Sequence, residues 1–312
     1  MITQYTEIPH NWNEVRNLVE TDFRRIVSII TGSGKLFFYD TCSFIKHANL
    51  HDDEVGFFVD YYKKQDVHIV VTRCVIMELA SLSGNLNKEY VRFFGRLKSA
   101  GLETIVLNEE NLFDILSVCF SNNKTVNSYL SWSVRMMQNP VSTITETLKR
   151  DDLLYDELIS GAKLDASDIY RRFFASVRGR KEASDNLGEE LIGICTHVLS
   201  HLPGVKDGKL CVVTEDKEAA AKIGSLINRT NKQYRGARIV IYSTPKLTQC
   251  MYHDHMELSE QNIVRILSHG SNANITVIGT TIYDLAVNDK ISMTCEELAR
   301  KIMEPNGINI VF

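Results

Sequence analysis

Asp40, Glu78, Glu189 and Asp216 are the residues whose type and placement point to chemistry. Asp40 directly follows the apolar run Lys35–Tyr39 (KLFFY), and Asp216 lies just past Leu210–Val213 (LCVV), in the string VVTED. Glu78 comes a turn after His68–Val71 (HIVV), in an otherwise apolar stretch (VIMELA). An unpaired carboxylate is costly in such surroundings. Asp185, Glu189 and Glu190 open a further helical segment, just before the run that leads to Asp216. Acids drawn to one edge repel each other unless a cation neutralises them, and hard cations such as Mg²⁺ prefer oxygen ligands. Such a cluster can activate water and stabilise a leaving oxygen in phosphodiester cleavage. Each acid also has a plainer explanation, because Asp40, Asp185 and Asp216 all stand where a helix N-cap would.

Hydrophobic periodicity supplies the elements that must position these acids. Buried strands are predicted at Lys35–Tyr39, His68–Val71, Thr104–Leu107 (TIVL), Leu210–Val213 and Arg238–Tyr242 (RIVIY). Helical patterns lie between them, at roughly 54–64, 74–83, 88–99, 110–120, 187–202 and 217–231. The alternation predicts an α/β fold with a doubly wound, mainly parallel sheet and helices on both faces. Ligands of such sheets bind beyond the carboxyl ends of strands whose connections diverge. Asp40 and Asp216 therefore share one crevice if their strands are neighbours.

Residues 11–31 read as one helix within an N-terminal element, 1–34, with Asn11 as cap and Gly32 as stop. Residues 109–183 break the alternation with a mostly helical pattern, too long for a bare loop. They are expected to form a helical insertion on the sheet's working edge, inside a domain spanning 35–255. Residues 256–312 hold a helix, a strand around Ile275–Ile278, a helix around 294–303 and an apolar end, Ile308–Phe312. They are expected to extend the same core as a C-terminal α/β extension.

Composition narrows the class. The chain has 312 residues, 44% hydrophobic and 24% charged, enough for one large domain or a domain with a sizeable insertion. Its net charge of −4 gives no global signature of nucleic-acid binding, so any basic surface must be local. The seven cysteines are scattered without a CxxC pair, which favours free core thiols over disulfides or a zinc ribbon. No apolar run approaches a membrane span, and residues 1–30 are amphipathic and charged, unlike a signal peptide. A soluble, cytoplasmic protein is expected.

LFFYDTCSFI resembles the opening signature of PIN domains, an apolar strand followed by Asp-Thr and a short helix start. VVTRCVIMELAS is similar to the family's second motif, SDNLGEELIGI to its third and LCVVTEDKEAA to its fourth. The motifs occur in the family's order and cover about 35–100 and 184–245; the first and fourth are fairly specific, the second and third weak alone. The resemblance implies a layered α/β nuclease dependent on Mg²⁺ or Mn²⁺ that most often cleaves RNA. It assigns Asp40, Glu78 and Asp216 as metal ligands and Thr214 as a supporting hydrogen-bonding group. Glu189 follows Gly188 as in the family's Gly-Glu variant, but Asp185 and Glu190 are near enough to substitute. The apolar stripe of this helix does not choose among the three.

Two segments carry local positive charge. Tyr170–Lys181 (YRRFFASVRGRK) holds Arg171, Arg172, Arg178, Arg180 and Lys181 without an acid, and a second group comprises Arg229, Lys232, Arg235 and Arg238. Cations interleaved with aromatic rings suit phosphate contact and base stacking, so the first segment is the candidate RNA surface. A solvated helix face is the alternative. His197 and His201 share a helix face at a spacing that can bind zinc, but no HExxH or third ligand accompanies them. His253 and His255 flank Asp254 with nothing tying them to the acids. GSGK at 32–35 precedes a strand and lacks the strand–loop–helix context of a P-loop.

The expectation is thus a metal-dependent endoribonuclease acting on RNA, in a role such as toxin, defence effector or processing factor. A homo-oligomer or protein regulator remains open as partner. The rivals are a non-catalytic scaffold binding RNA or protein, and a metal-dependent DNA nuclease or phosphatase. The phosphatase usually opens on DxD, and Asp40-Thr41-Cys42 lacks the second Asp.

Overall fold

The apolar runs assemble into one parallel sheet. The structure is a computed structural model that describes residues 4–138, 142–228, 234–269, 274–281 and 288–312. Its strands β1 (Lys35–Tyr39), β2 (Val67–Thr72), β3 (Thr104–Leu107), β4 (Leu210–Val213) and β5 (Val240–Tyr242) lie in the order β3-β2-β1-β4-β5, every pair parallel. All of β4 is buried, and β1 is buried apart from Lys35. Near-continuous apolar runs are what strands covered on both faces require. From β1 the chain builds outward to β2 and β3, then returns to the other side of β1 to add β4 and β5. The winding direction therefore reverses between β1 and β4, which is the switch point of a doubly wound sheet.

Helices make the crossovers. They are α1 (Phe23–Thr31) before the sheet, α2 (Thr41–Ala48) and α3 (Asp52–Lys64) after β1, and α4 (Arg73–Ala80) and α5 (Lys88–Ser99) after β2. The long connection from β3 to β4 is helical: α6 (Leu112–Ser117), α7 (Asn123–Met137), α8 (Thr143–Arg150), α9 (Asp152–Gly161), α10 (Ile169–Arg178) and α11 (Leu187–Leu199). The buried face of α10 is Ile169, Tyr170, Phe173, Phe174 and Val177. Helix α12 (Lys217–Asn228) joins β4 to β5.

The N-terminal segment departs from the single helix expected over 11–31. A short 3-10 turn at Trp12–Glu14 gives way to irregular chain, and α1 starts only at Phe23, where Asp22 accepts the Arg25 N–H at 2.9 Å. Between them, Glu20 pairs with the outer edge of β3. Its N–H donates to the Thr104 carbonyl at 2.7 Å, and its carbonyl accepts the Val106 N–H at 3.0 Å. An uninterrupted helix would leave that edge open, and covering it overrides the local periodicity. Asn11 caps nothing; it exchanges two hydrogen bonds with the Leu86 backbone, at 3.0 and 2.9 Å.

Among the described residues of 256–312, none joins the parallel sheet. After α13 (Thr244–His253) and α14 (Glu260–Ser268), β6 (Asn274–Thr280), β7 (Asp289–Thr294) and β8 (Asn309–Ile310) form a separate antiparallel sheet, ordered β7-β6-β8. Helix α15 (Cys295–Met303) follows β7. Strand β7 escaped notice because only its Met293 is buried and DKISMT carries little apolar signal. Val277, Leu298 and Ile310 nonetheless belong to the same buried cluster as Phe37 and Val212.

Four cysteines are buried as expected, Cys250 is half-buried, and Cys42 and Cys119 are exposed rather than core residues. No helix among the described residues is long and apolar enough to cross a membrane.

Candidate active site

Strands β1 and β4 end side by side, and the acids that follow them meet there. The Asp40 N–H donates to the Val213 carbonyl at 3.0 Å, so Asp40 leaves the sheet against the end of β4. It caps α2, one carboxylate oxygen accepting the Ser43 N–H at 2.8 Å. Asp216 accepts the N–H groups of Glu218 at 2.6 Å and Ala219 at 3.1 Å at the start of α12. The Thr214 hydroxyl accepts the Asp216 N–H at 3.0 Å. The plain role as helix cap and the place in an acidic site are therefore compatible: capping fixes where each carboxylate points.

Glu78 reaches the cluster from α4. It accepts hydrogen bonds from the Thr41 hydroxyl and from the Gly188 N–H, the latter at 3.2 Å, and it pairs with the Lys181 ammonium at 3.1 Å. Gly188 permits this approach, since a Cβ there would lie 2.5 Å from one Glu78 oxygen and 2.7 Å from the other.

Of the three candidates for the remaining acid, Glu189 faces the others. Burial pushes its carboxyl up to about 8, with further contributions from the charges of Asp216, Asp40 and Glu78. Its Oε2 is buried without a hydrogen-bond partner. Asp40 is likewise pushed up to about 6 by burial, against the opposing hydrogen bonds of Ser43, Thr214 and Cys42. Asp185 is occupied within the protein, by Lys181, the Thr143 hydroxyl at 2.9 Å and the N–H groups of Glu182 at 2.8 Å and Leu187 at 3.2 Å. Glu190 is buried; a cavity of about 250 Å³ is lined by Glu78, Asp185 and Glu189, while Asp40, Asp216 and Glu190 are not among its lining residues.

The basic segment is largely neutralised inside the fold. Arg178, expected to meet RNA, is 0% exposed and pairs with Glu7 at 3.3 Å, Glu109 at 3.0 Å and Glu110. Lys181, with the same expectation, is 3% exposed and lies in the acid cluster itself. Arg171 pairs with Asp114 at 3.1 Å, and Arg172 with Glu157 and, at 3.9 Å, Asp168; both stay exposed, and Arg180 is half-buried. The stretch has no acid in its own sequence, but the fold brings acids to it from distant positions. In the second cluster Arg235 and Arg238 are exposed, while Arg229 and Lys232 lie outside the described residues.

Several neighbours of the site carried no readable signal. The Cys42 sulfur turns inward, donating to Asp40 at 3.1 Å and accepting the Glu215 N–H at 3.4 Å. Glu215 is held by Lys46 at 2.7 Å and by the Thr244 N–H and hydroxyl at 2.7 and 2.6 Å. Burial raises its pKa, but Lys46 and Thr244 outweigh that and keep the carboxyl below its ordinary range. Cys42 and Ile45 also line a larger cavity, of about 780 Å³, which runs past Lys46 and Lys217 to β6 and Phe312. Asp40-Thr41-Cys42 and Thr214-Glu215-Asp216 could have flagged Cys42 and Glu215 by adjacency; Lys46 had no such marker.

His197 and His201 are structural. Ring nitrogens of both lie near the Tyr234 carbonyl, at 3.1 and 3.0 Å, and the second ring nitrogen of His197 meets the Ser133 hydroxyl at 2.5 Å. Burial lowers both pKa values, that of His197 to about 3.

Among the described residues, no group of three or more His, Cys, Asp or Glu side chains is placed to hold a metal ion. The arrangement fits the commoner Mg²⁺ mode instead, with one or two carboxylates and the rest of the shell from water and phosphate oxygens. The unpartnered oxygen of Glu189, and a carboxyl raised first by burial and then by the neighbouring acids, are what a cation would relieve. Compared with known proteins, the chain matches no protein-family model, no curated protein and no solved structure, so its function is argued from this site.

Proposed function

We propose that the chain is a PIN-like, Mg²⁺- or Mn²⁺-dependent endoribonuclease. The observation that carries this reading is the Glu189 carboxyl, half-buried at the sheet's switch point and pushed up to about 8 with Asp216, Asp40 and Glu78 around it. Negative charge gathered at this place in a doubly wound sheet serves phosphate chemistry better than it serves stability.

One or two of Asp40, Glu189 and Asp216 would hold the cation directly and the remainder through water; when bound, the cation supplies charge neutralisation at the phosphate and a more acidic water. The chain's own residues set the geometry. Asp40 and Asp216 are fixed by the caps of α2 and α12, so neither swings away as charge builds up. Thr214 ties Asp216 to the end of β4. Glu78 is held one step behind them by Thr41, Gly188 and Lys181. The two cavities meet at Cys42 and Ile45. A strand could therefore run from Glu78 and Glu189 past Glu215, which supports internal cleavage; Lys46 and Lys217 along that path are engaged by Glu215 and the Thr276 carbonyl.

The test is cleavage of end-labelled RNA and DNA, single-stranded and duplex, with Mg²⁺ or Mn²⁺ and with chelator. Internal cuts in RNA that chelator abolishes are expected. Cleavage of DNA alone would move the protein to the DNA-nuclease reading, and no cleavage of either would remove the nuclease reading. A second reading, a non-catalytic scaffold for RNA or protein, is favoured by one observation: Lys181 already neutralises two of the acids, Glu78 and Asp185.

A further inference from the structure

The acid cluster divides into two unlike halves. On one side, Glu78 and Asp185 are satisfied by the protein. The oxygens of Glu78 accept from Thr41 and Gly188 and pair with Lys181, and those of Asp185 accept from Lys181, Leu187, Thr143 and Glu182. On the other side stand Asp40 and Asp216, held by the caps of their own helices, and Glu189, one oxygen of which is buried and unpartnered; among the described residues none of the three has an ion pair, though the charge of Lys222 acts on Glu189. One cationic group accounts for the difference. The Lys181 ammonium lies between the two carboxylates of the first half, 3.1 Å from Glu78 Oε1 and in contact with Asp185 Oδ1, and it also donates to the Glu182 carbonyl at 3.0 Å. The ammonium thus donates to Asp185 and the Glu182 carbonyl and forms an ion pair with Glu78. The Tyr5 ring lies 5.2 Å from the nitrogen, and the residue is only 3% exposed.

We propose that Lys181 stands in for a second divalent cation, so that the centre binds a single ion, on the Asp40–Glu189–Asp216 side. This rests on the metal-dependent reading above. Two-metal sites hold their ions roughly 4 Å apart and share carboxylates between them. Here one of the two positions carries a tethered charge that needs no uptake from solution and cannot diffuse away. A buried pair of carboxylates without its cation must protonate or recruit another ion. Removing Lys181 should therefore open a second metal position, an outcome that a purely structural salt bridge does not produce.

The experiment counts Mn²⁺ on the whole protein by calorimetry and by electron paramagnetic resonance. The wild type should bind one Mn²⁺ with the spectrum of an isolated ion. Lys181→Met should bind two, with the spectral broadening of a coupled pair, and Lys181→Arg should return the count to one. Two ions on the wild type, or one on a folded Lys181→Met variant, would overturn the role of Lys181 and leave the nuclease reading standing. No ion on the wild type would remove both. Should Lys181→Met fail to fold by circular dichroism, the count and spectrum of the wild type decide alone: an isolated single ion supports the assignment and a coupled pair overturns it.

Discussion

Glu189→Gln removes the charge that the site tolerates least, and its effect on stability has a sign set by pH. The carboxyl is raised from 4.5 to about 8 in the folded protein, first by burial and then by Asp216, Asp40 and Glu78. Between these values the folded state holds a proton that the unfolded chain has released, so stability falls as pH rises through the window. Below 4.5 both states are protonated and the penalty is absent. At about 1.4 kcal/mol per pH unit the full window corresponds to an upper limit of about 5 kcal/mol. Glu189 is partly exposed and its neighbours can reorganise, so screening reduces this to roughly 2 kcal/mol. Glutamine keeps the shape without the charge. In urea unfolding with chelator, the variant should match the wild type within about 0.5 kcal/mol at pH 4.5 and exceed it by roughly 2 kcal/mol at pH 9. Saturating Mg²⁺ should narrow the gap at pH 9 by stabilising the wild type alone. Equal stability at both pH values, or a variant weaker at pH 9, would refute the raised, burial-penalised carboxyl at Glu189.

Asp40→Asn should lower cleavage at least about 100-fold yet leave the urea midpoint nearly unchanged, because Asn caps a helix about as well as Asp; full activity would reduce Asp40 to a cap. Arg178→Met strands Glu109, itself 0% exposed, and should cost about 3–5 kcal/mol in chemical unfolding; a loss below about 1 kcal/mol would contradict the burial of that pair. His47 and His197 are buried with pKa values lowered to about 3, so each should withdraw stability below pH 6.5 by about 1.4 kcal/mol per pH unit. Unfolding of His47→Gln between pH 7 and 5 should then show a shallower loss than the wild type, and an unchanged slope would count against that burial. Gly188→Ala would push against the Glu78 carboxylate and should destabilise by about 1–3 kcal/mol while weakening Mn²⁺ affinity, which calorimetry would show.

Much of the frame was legible because the central strands are buried on both faces and so carry uninterrupted apolar runs. The runs KLFFY and LCVV also put Asp40 directly past the end of β1 and Asp216 three residues past the end of β4, after Glu215. The 11–31 segment misled because Val15 and Val19 are buried at helical spacing, while Glu20 is needed at the open edge of β3. Nothing local announces an edge elsewhere in the chain. The choice among Asp185, Glu189 and Glu190 was hidden for a related reason. It depends on which carboxylate finds partners within the protein, and those partners, Thr143 and Lys181 for Asp185, are tertiary contacts. Counting charge along Tyr170–Lys181 failed in the same way, since Glu7, Glu109, Glu110 and Glu157 come from outside the segment.

The helical insertion is consequently part of the electrostatics of the site rather than an ornament on its rim. Arg178, at the end of α10, binds Glu109, whose other oxygen accepts the Cys74 N–H at 2.9 Å near the start of α4. That same helix carries Glu78. Three residues beyond Arg178, Lys181 reaches Glu78 itself, and Asp185 follows four residues later in the irregular chain before α11. Two cations of one short segment thus clamp both ends of α4 against the insertion, one through a structural acid and the other through a site acid. A change that loosens the end of α10 would withdraw Lys181 from Glu78 and raise the net negative charge around Asp40, Glu189 and Asp216. Packing of the insertion and the charge balance of the site are therefore coupled through the few residues between Arg178 and Asp185.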